Sequence, residues 1–118
     1  MKFTAKINGL NSWQNAWNSK GTEMLEDIKD SVDEHAHKIE RTAKEIVPVD
    51  SGRLKGSIVT DIENDGYYAE TGTNVEYSDD VEYGTSKQMA QPFLKPAYEE
   101  QLPKFIKDIE NIVEGIGD

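Results

Sequence analysis

At 118 residues the chain is sized for a single domain, residues 1–118, with one modest core. Apolar residues make up 36% and no run of about 18 of them exists, so nothing reads as a membrane span and no membrane partner is expected. The formal charge of −10 repels phosphate and argues against sequence-specific nucleic-acid binding; zero cysteines exclude disulfides and thiolate metal sites and fit a reducing cytoplasm. The opening residues also lack the basic-then-apolar layout of a signal peptide.

Lys2–Ile7 alternates Phe3, Ala5 and Ile7 with polar residues, which predicts a half-buried strand ended by Asn8-Gly9. Leu10, Trp13 and Trp17 recur at helical spacing and predict a short helix over Leu10–Ser19. Lys20-Gly21 reads as a break, with Thr22 as the next N-cap. Leu25, Ile28, Val32, Ala36, Ile39, Ala43 and Ile46 then keep a three-four spacing that predicts a long amphipathic helix. Glu26, Asp27, Asp30, Asp33, Glu34, Lys38 and Arg41 form its solvated face.

Pro48 stops that helix, because it fixes its own φ and excludes the helical conformation from the residue before it. Asp50, Ser51 and Gly52 supply a turn, and Leu54 returns to the core. Ser57-Ile58-Val59 reads as extended chain, and Gly56–Glu63 alternates with Ile58, Thr60 and Ile62 on one side. Asn64-Asp65-Gly66 marks a hairpin with Tyr67–Thr73 as the return strand. A register with Ile62 facing Tyr67 is expected, because the alternative sets Asp61 against Glu70. Gly72 suggests a bulge or a strand exit.

Asn74–Gln91 reads as a long polar loop with one helical turn near Asp79–Glu82. Pro92-Phe93-Leu94 looks extended and able to add a sheet edge, and Pro96 fits the first turn of a final helix. Tyr98, Leu102, Phe105, Ile109, Ile112 and Ile116 give that helix its stripe, with a kink or restart at Pro103 and an end at Gly115-Ile116-Gly117. The fold class expected is α+β: a small antiparallel sheet of three to four strands packed against a long N-terminal helix and a C-terminal helix.

No catalytic set emerges. His35 and His37 point about 200° apart on a helix, so they cannot share one metal, and both read as surface histidines. Asp50-Ser51 has no histidine base nearby and no Gly-x-Ser-x-Gly elbow. Thr71-Gly72-Thr73 and Gly84-Thr85 match no phosphate loop, since no Gly-Lys-Ser/Thr follows. The residues give no enzyme, no cofactor and no metal site. Asp79 or Asp80 with Glu82 is the weak alternative for a divalent ion.

Three blocks in order carry a resemblance: AKEIVPVDSGRLKGS from Ala43 to Ser57, YSDDVEYGT from Tyr77 to Thr85, and QPFLKPA from Gln91 to Ala97. Together they resemble the "gene product ten"-like head–tail joining, or tail-completion, proteins of long-tailed bacteriophages. The opening KFTAKINGL also fits the usual start of that family, whereas Pro103 departs from a last helix that is more usually unbroken, and Trp13/Trp17 is no family mark. The resemblance implies a structural protein of the virion neck or tail, from a phage or prophage, made in the host cytoplasm. It further implies a homo-oligomeric ring, commonly a hexamer, that meets other neck or tail proteins and lets DNA pass. On that basis Pro48, Asp50, Ser51, Gly52 and Leu54 fix the helix-to-sheet turn, and Ser57 is the last motif residue of the first block. Tyr77, Glu82, Tyr83, Gly84 and Thr85 belong to the second block, the last three shaping the returning loop, and Pro92, Phe93, Leu94 and Pro96 dock the final helix. Contacts with other proteins are expected instead from Asn74–Gln91, the helix faces and the strand edges. The competing reading is a small acidic binding module, either a DNA-mimic inhibitor or a divalent-metal domain.

Overall fold

The computed structural model describes residues 2–6, 19–48 and 52–115. The expected helix over Leu10–Ser19, apart from its last residue, lies outside them, as do Asp50, Ser51, Ile116 and Gly117. Among the described residues the strands and α-helices follow in the order β1 (Lys2–Lys6), α1 (Ser19–Ile46), α2 (Arg53–Ser57), β2 (Val59–Glu63), β3 (Tyr68–Gly72), α3 (Ser78–Tyr83) and α4 (Leu94–Glu114), with a 3-10 turn at Asn64–Gly66 between β2 and β3. β2 and β3 form an antiparallel hairpin, and β1 pairs antiparallel with the other edge of β3, giving the order β1-β3-β2. The α+β class and both long helices agree with the sequence reading.

α1 is the axis of the molecule. Its 28 residues span about 42 Å at the helical rise. One flank packs along α4 and another across β2 and β3. Toward its N-terminal half, Met24, Leu25, Ile28, Val32 and Ala36 close a core with Ala69, which Tyr67, Phe105, Ile109, Ile112 and Val113 cover. Toward its C-terminal half, Ile39, Ala43 and Val47 join Leu54, Ile58, Val75, Val81, Phe93, Leu94 and Ala97. The polar face is solvated as expected, with Lys38–Glu34 and Lys44–Glu40 pairs one turn apart.

Two expectations for α1 are corrected. The helix runs unbroken through Lys20, Gly21 and Thr22, so Thr22 is not a cap. A helical glycine costs up to about 1 kcal/mol relative to alanine, less than burial of the Met24, Leu25 and Ile28 side chains returns at about 1.5–3 kcal/mol each. At the other end Ile46 is 45% exposed, and Val47 takes the core position four residues after Ala43. The helix does stop before Pro48, with the Val47 N–H donating to Ala43 O at 2.9 Å.

Beyond the junction, Gly52 holds φ at +70°, a left-handed conformation that costs glycine nothing. Arg53–Ser57 is then a helical turn, α2, not the start of extended chain. The Gly56 N–H closes it onto Gly52 O at 2.9 Å, and Ile58 is the first extended residue. Leu54 on this turn is buried in the core, as expected.

The hairpin register is also corrected. Ile62 pairs with Ala69, Asp61 with Glu70 and Glu63 with Tyr68. Asn64, Asp65 and Gly66 all take positive φ, and the Tyr67 N–H donates to Asn64 O at 3.1 Å. That turn consumes four residues and so sets the pairing. Thr60 and Thr71, paired at 2.8 Å through their hydroxyls, hold the same register on the helix side. Glu70 takes a hydrogen bond from the Tyr68 hydroxyl at 3.0 Å, which relieves its position opposite Asp61. Tyr67 packs beneath Lys29 of α1, whose Nζ lies 5.2 Å from the ring centre, and Ile62 is left 37% exposed.

The helical turn near Asp79–Glu82 is present as α3, and β3 exits at Gly72. Leu94 is the first residue of α4, so Pro92-Phe93-Leu94 adds no edge to the sheet. Pro96 lies in the first turn of α4, as expected, but Pro103 causes no restart: α4 is continuous from Leu94 to Glu114. Pro103 and Glu99, whose carbonyl loses its helical donor, are both exposed, so the missing bond falls on the solvent side of the helix. Among the described residues no helix is long and apolar enough to cross a membrane.

Candidate functional site

The three sequence blocks meet at the end of the molecule where α1 stops. In the first, Ser57 Oγ donates to Leu54 O at 2.7 Å and pairs with Thr73 Oγ1 at 2.6 Å. The serine hydrogen is used on Leu54, so the Thr73 hydroxyl donates to Ser57, while Thr73 Oγ1 accepts the Val75 N–H at 3.1 Å. This chain of bonds fastens α2 to the exit of β3. On the surface Arg53 grips Glu76 through two nitrogens, at 2.8 and 2.9 Å, and lies 5.6 Å from the centre of the Tyr77 ring. The fork holds the Glu76 carboxyl below the usual carboxylate range, chiefly through the hydrogen bond from Arg53. The same bond raises Arg53.

The second and third blocks are joined by Glu82. Its side chain is 2% exposed and turns under the start of α4. Oε1 accepts the Phe93 and Leu94 N–H groups at 3.2 and 2.9 Å, and Oε2 accepts that of Lys95 at 3.2 Å. A helix N-terminus leaves its first N–H groups without intrahelical partners and carries partial positive charge. Here a carboxylate from α3 meets both needs, and Pro96 removes a further donor. Phe93 and Leu94 are fully buried behind the cap. Gly84 (φ +77°, ψ 174°) takes the chain away from α3, and a Cβ there would stand 2.7 Å from the Ala90 backbone nitrogen. The loop closes with Gln91 N–H on Val81 O at 2.7 Å and Thr85 N–H on Gln88 O at 2.8 Å.

Tyr83 points outward and is 65% exposed, and Met89 on the same loop is 85% exposed. Pro92 is exposed, Pro48 and Pro96 half-buried. The alternative ion site does not assemble, because Glu82 is committed to the α4 amides while Asp79 and Asp80 lie on the exposed side of α3.

His35 is the residue that sequence reasoning misplaced. It is 7% exposed, not a surface histidine. Nδ1 lies 3.1 Å from Gln101 Oε1, and the ring meets Phe105 edge-on at 5.6 Å between centres. The signal was present: His35 stands seven residues after Ile28 and four before Ile39, inside the apolar stripe. His37 does lie on the surface, against Asp33.

The architecture is that of a helix-centred α+β module fastened by its own motif residues. Its sequence matches the family described as "Bacteriophage HK97-gp10, putative tail-component" over residues 17–84, more than half of the chain. The protein belongs to that phage tail-component family. The match takes in the first block and nearly all of the second; Pro92, Phe93, Leu94 and Pro96 lie beyond it, tied back through Glu82. No curated protein and no solved structure matches the chain significantly.

Proposed function

We propose that this protein is a structural component of the head–tail junction or upper tail of a long-tailed phage or prophage, assembling there as a ring. The observation that carries the proposal is membership of the tail-component family across the junction and the α3 motif. The chain acts as one domain, made in the host cytoplasm and incorporated into the virion. Its motif residues Pro48, Asp50, Ser51, Gly52, Leu54, Ser57, Tyr77, Glu82, Gly84, Thr85, Pro92, Phe93, Leu94 and Pro96 keep the fold, whereas the exposed Tyr83 belongs to the contact surface. The surfaces left for sister copies and other neck proteins include the Tyr83–Met89 loop, Val59 and Ile62 on β2, and Ile106 on α4, all exposed apolar positions.

Among the described residues the outer edge of β2 has no strand partner, which supports the same reading, because an unpaired strand edge offers a ready row of backbone partners. The work done is geometric: shape and ring closure carry it, with no cofactor. The test is light scattering of the purified protein mixed with isolated tails and with portal-capped capsids. Association with either particle is expected. A protein that stays monomeric and unbound in both mixtures overturns the reading.

A further inference from the structure

The seam between α1 and α4 holds a cluster that the proposed function does not use. His35 Nε2 lies 3.4 Å from Asp108 Oδ2, and with Glu34 these groups offer one ligand atom each, all within 4.8 Å of one another. The imidazole tautomer is set from behind. Gln101 Oε1 can only accept, so the ring hydrogen is on Nδ1. That leaves Nε2 as the ring atom that faces the carboxylate of Asp108. The separation exceeds a normal N–H···O bond, and Asp108 Oδ2 already receives the Ser31 hydroxyl at 2.6 Å. The nitrogen faces an open cleft that Glu34 and Asp108 also line. One ring nitrogen with two carboxylates gathered about it is a donor set for a single cation.

We propose that His35 Nε2, Asp108 and Glu34 bind a single divalent transition-metal ion of the zinc class, bridging α1 and α4, with water completing the shell. One imidazole and two carboxylates suit such ions. Gln101 behind the histidine and Ser31 on the aspartate are the outer partners that hold metal ligands in place. Glu34 is the exposed ligand: one oxygen engages Lys38 at 2.8 Å, which leaves the other for the ion. Lys104 and Lys107 line the mouth of the cleft, Lys104 lying 3.9 Å from Glu100. Their charge opposes weakly held hard cations and leaves the advantage to a metal that bonds imidazole.

The experiment uses the full chain without a histidine tag, titrated calorimetrically with Zn²⁺ and with Mg²⁺. One Zn²⁺ per chain is expected, bound about tenfold or more tightly than Mg²⁺, and a Tm that rises with zinc. Glu34→Gln and Asp108→Asn each weaken zinc binding about tenfold or more. Glu34 is exposed, so Glu34→Gln keeps the fold where a change at buried His35 need not. In nitrogen NMR, zinc moves the Nε2 resonance of His35. Zinc affinity unchanged in both variants, or a shift confined to His37, overturns the proposal.

Discussion

Glu82 and Leu94, twelve residues apart, are joined carboxylate to amide at 2.9 Å, and this contact sets where α4 begins. The same oxygen holds Phe93 and its twin holds Lys95, so one side chain satisfies three amides in a water-poor site. Glu82→Ala leaves them unpaired and should lower stability by about 3 kcal/mol. Glu82→Gln keeps an accepting oxygen and should cost less. Urea unfolding of both variants measures the order.

Gly84 and Gly56 give opposite expectations for the same change. At Gly84 alanine meets the Ala90 nitrogen at 2.7 Å in a backbone region that is essentially glycine's own. Gly84→Ala should destabilise by about 2 kcal/mol or more. Nothing lies within 4 Å of a Cβ at Gly56, which sits in a helical turn. Gly56→Ala should leave stability unchanged or raise it by about 0.5 kcal/mol. Thermal melts of the pair provide the comparison.

Thr71 ties the sheet to α1 through a hydrogen bond rather than through grease. Its hydroxyl donates to Ala36 O at 3.1 Å in a buried site and is hydrogen-bonded to the Thr60 hydroxyl at 2.8 Å, which itself lies 3.4 Å from Ala36 O. Thr71→Val keeps the shape and removes both bonds, at a cost of about 1–2 kcal/mol. Hydrogen exchange across β2 and β3 should quicken in the same variant.

The Arg53–Glu76 fork is a pH-dependent contact at the surface. Glu76 is held below its ordinary value of 4.5, so what the pair contributes is present above that value and is lost as pH falls through the depressed one. Both groups are exposed, and the effect on global stability is correspondingly small. The cleaner readout is the carbon NMR titration of Glu76, whose midpoint should rise in Arg53→Gln and in high salt.

The parts of the fold legible in the sequence were those that a local period or a single residue decides. The α1 stripe from Leu25 to Ala43, its end before Pro48 and the place of Pro96 are of this kind. The hairpin turn was legible but its register was not, because three successive positive φ values outweigh the repulsion of Asp61 and Glu70. The five-residue turn Arg53–Ser57 is too short to show a helical period. In the sequence Glu82 shows only as a motif member and a candidate ion ligand. Its partners are amides brought in by the loop fold, and an amide has no sequence signature. His35 is buried because its place in the apolar stripe outweighs its polar character.

The central claim is incorporation into the virion in multiple copies, and quantitative mass spectrometry of purified particles of the parent phage tests it most directly. A small fixed copy number greater than one per particle, retained with the tail or neck after the head is stripped, is the predicted result. Particles that are infectious and free of the protein would contradict it.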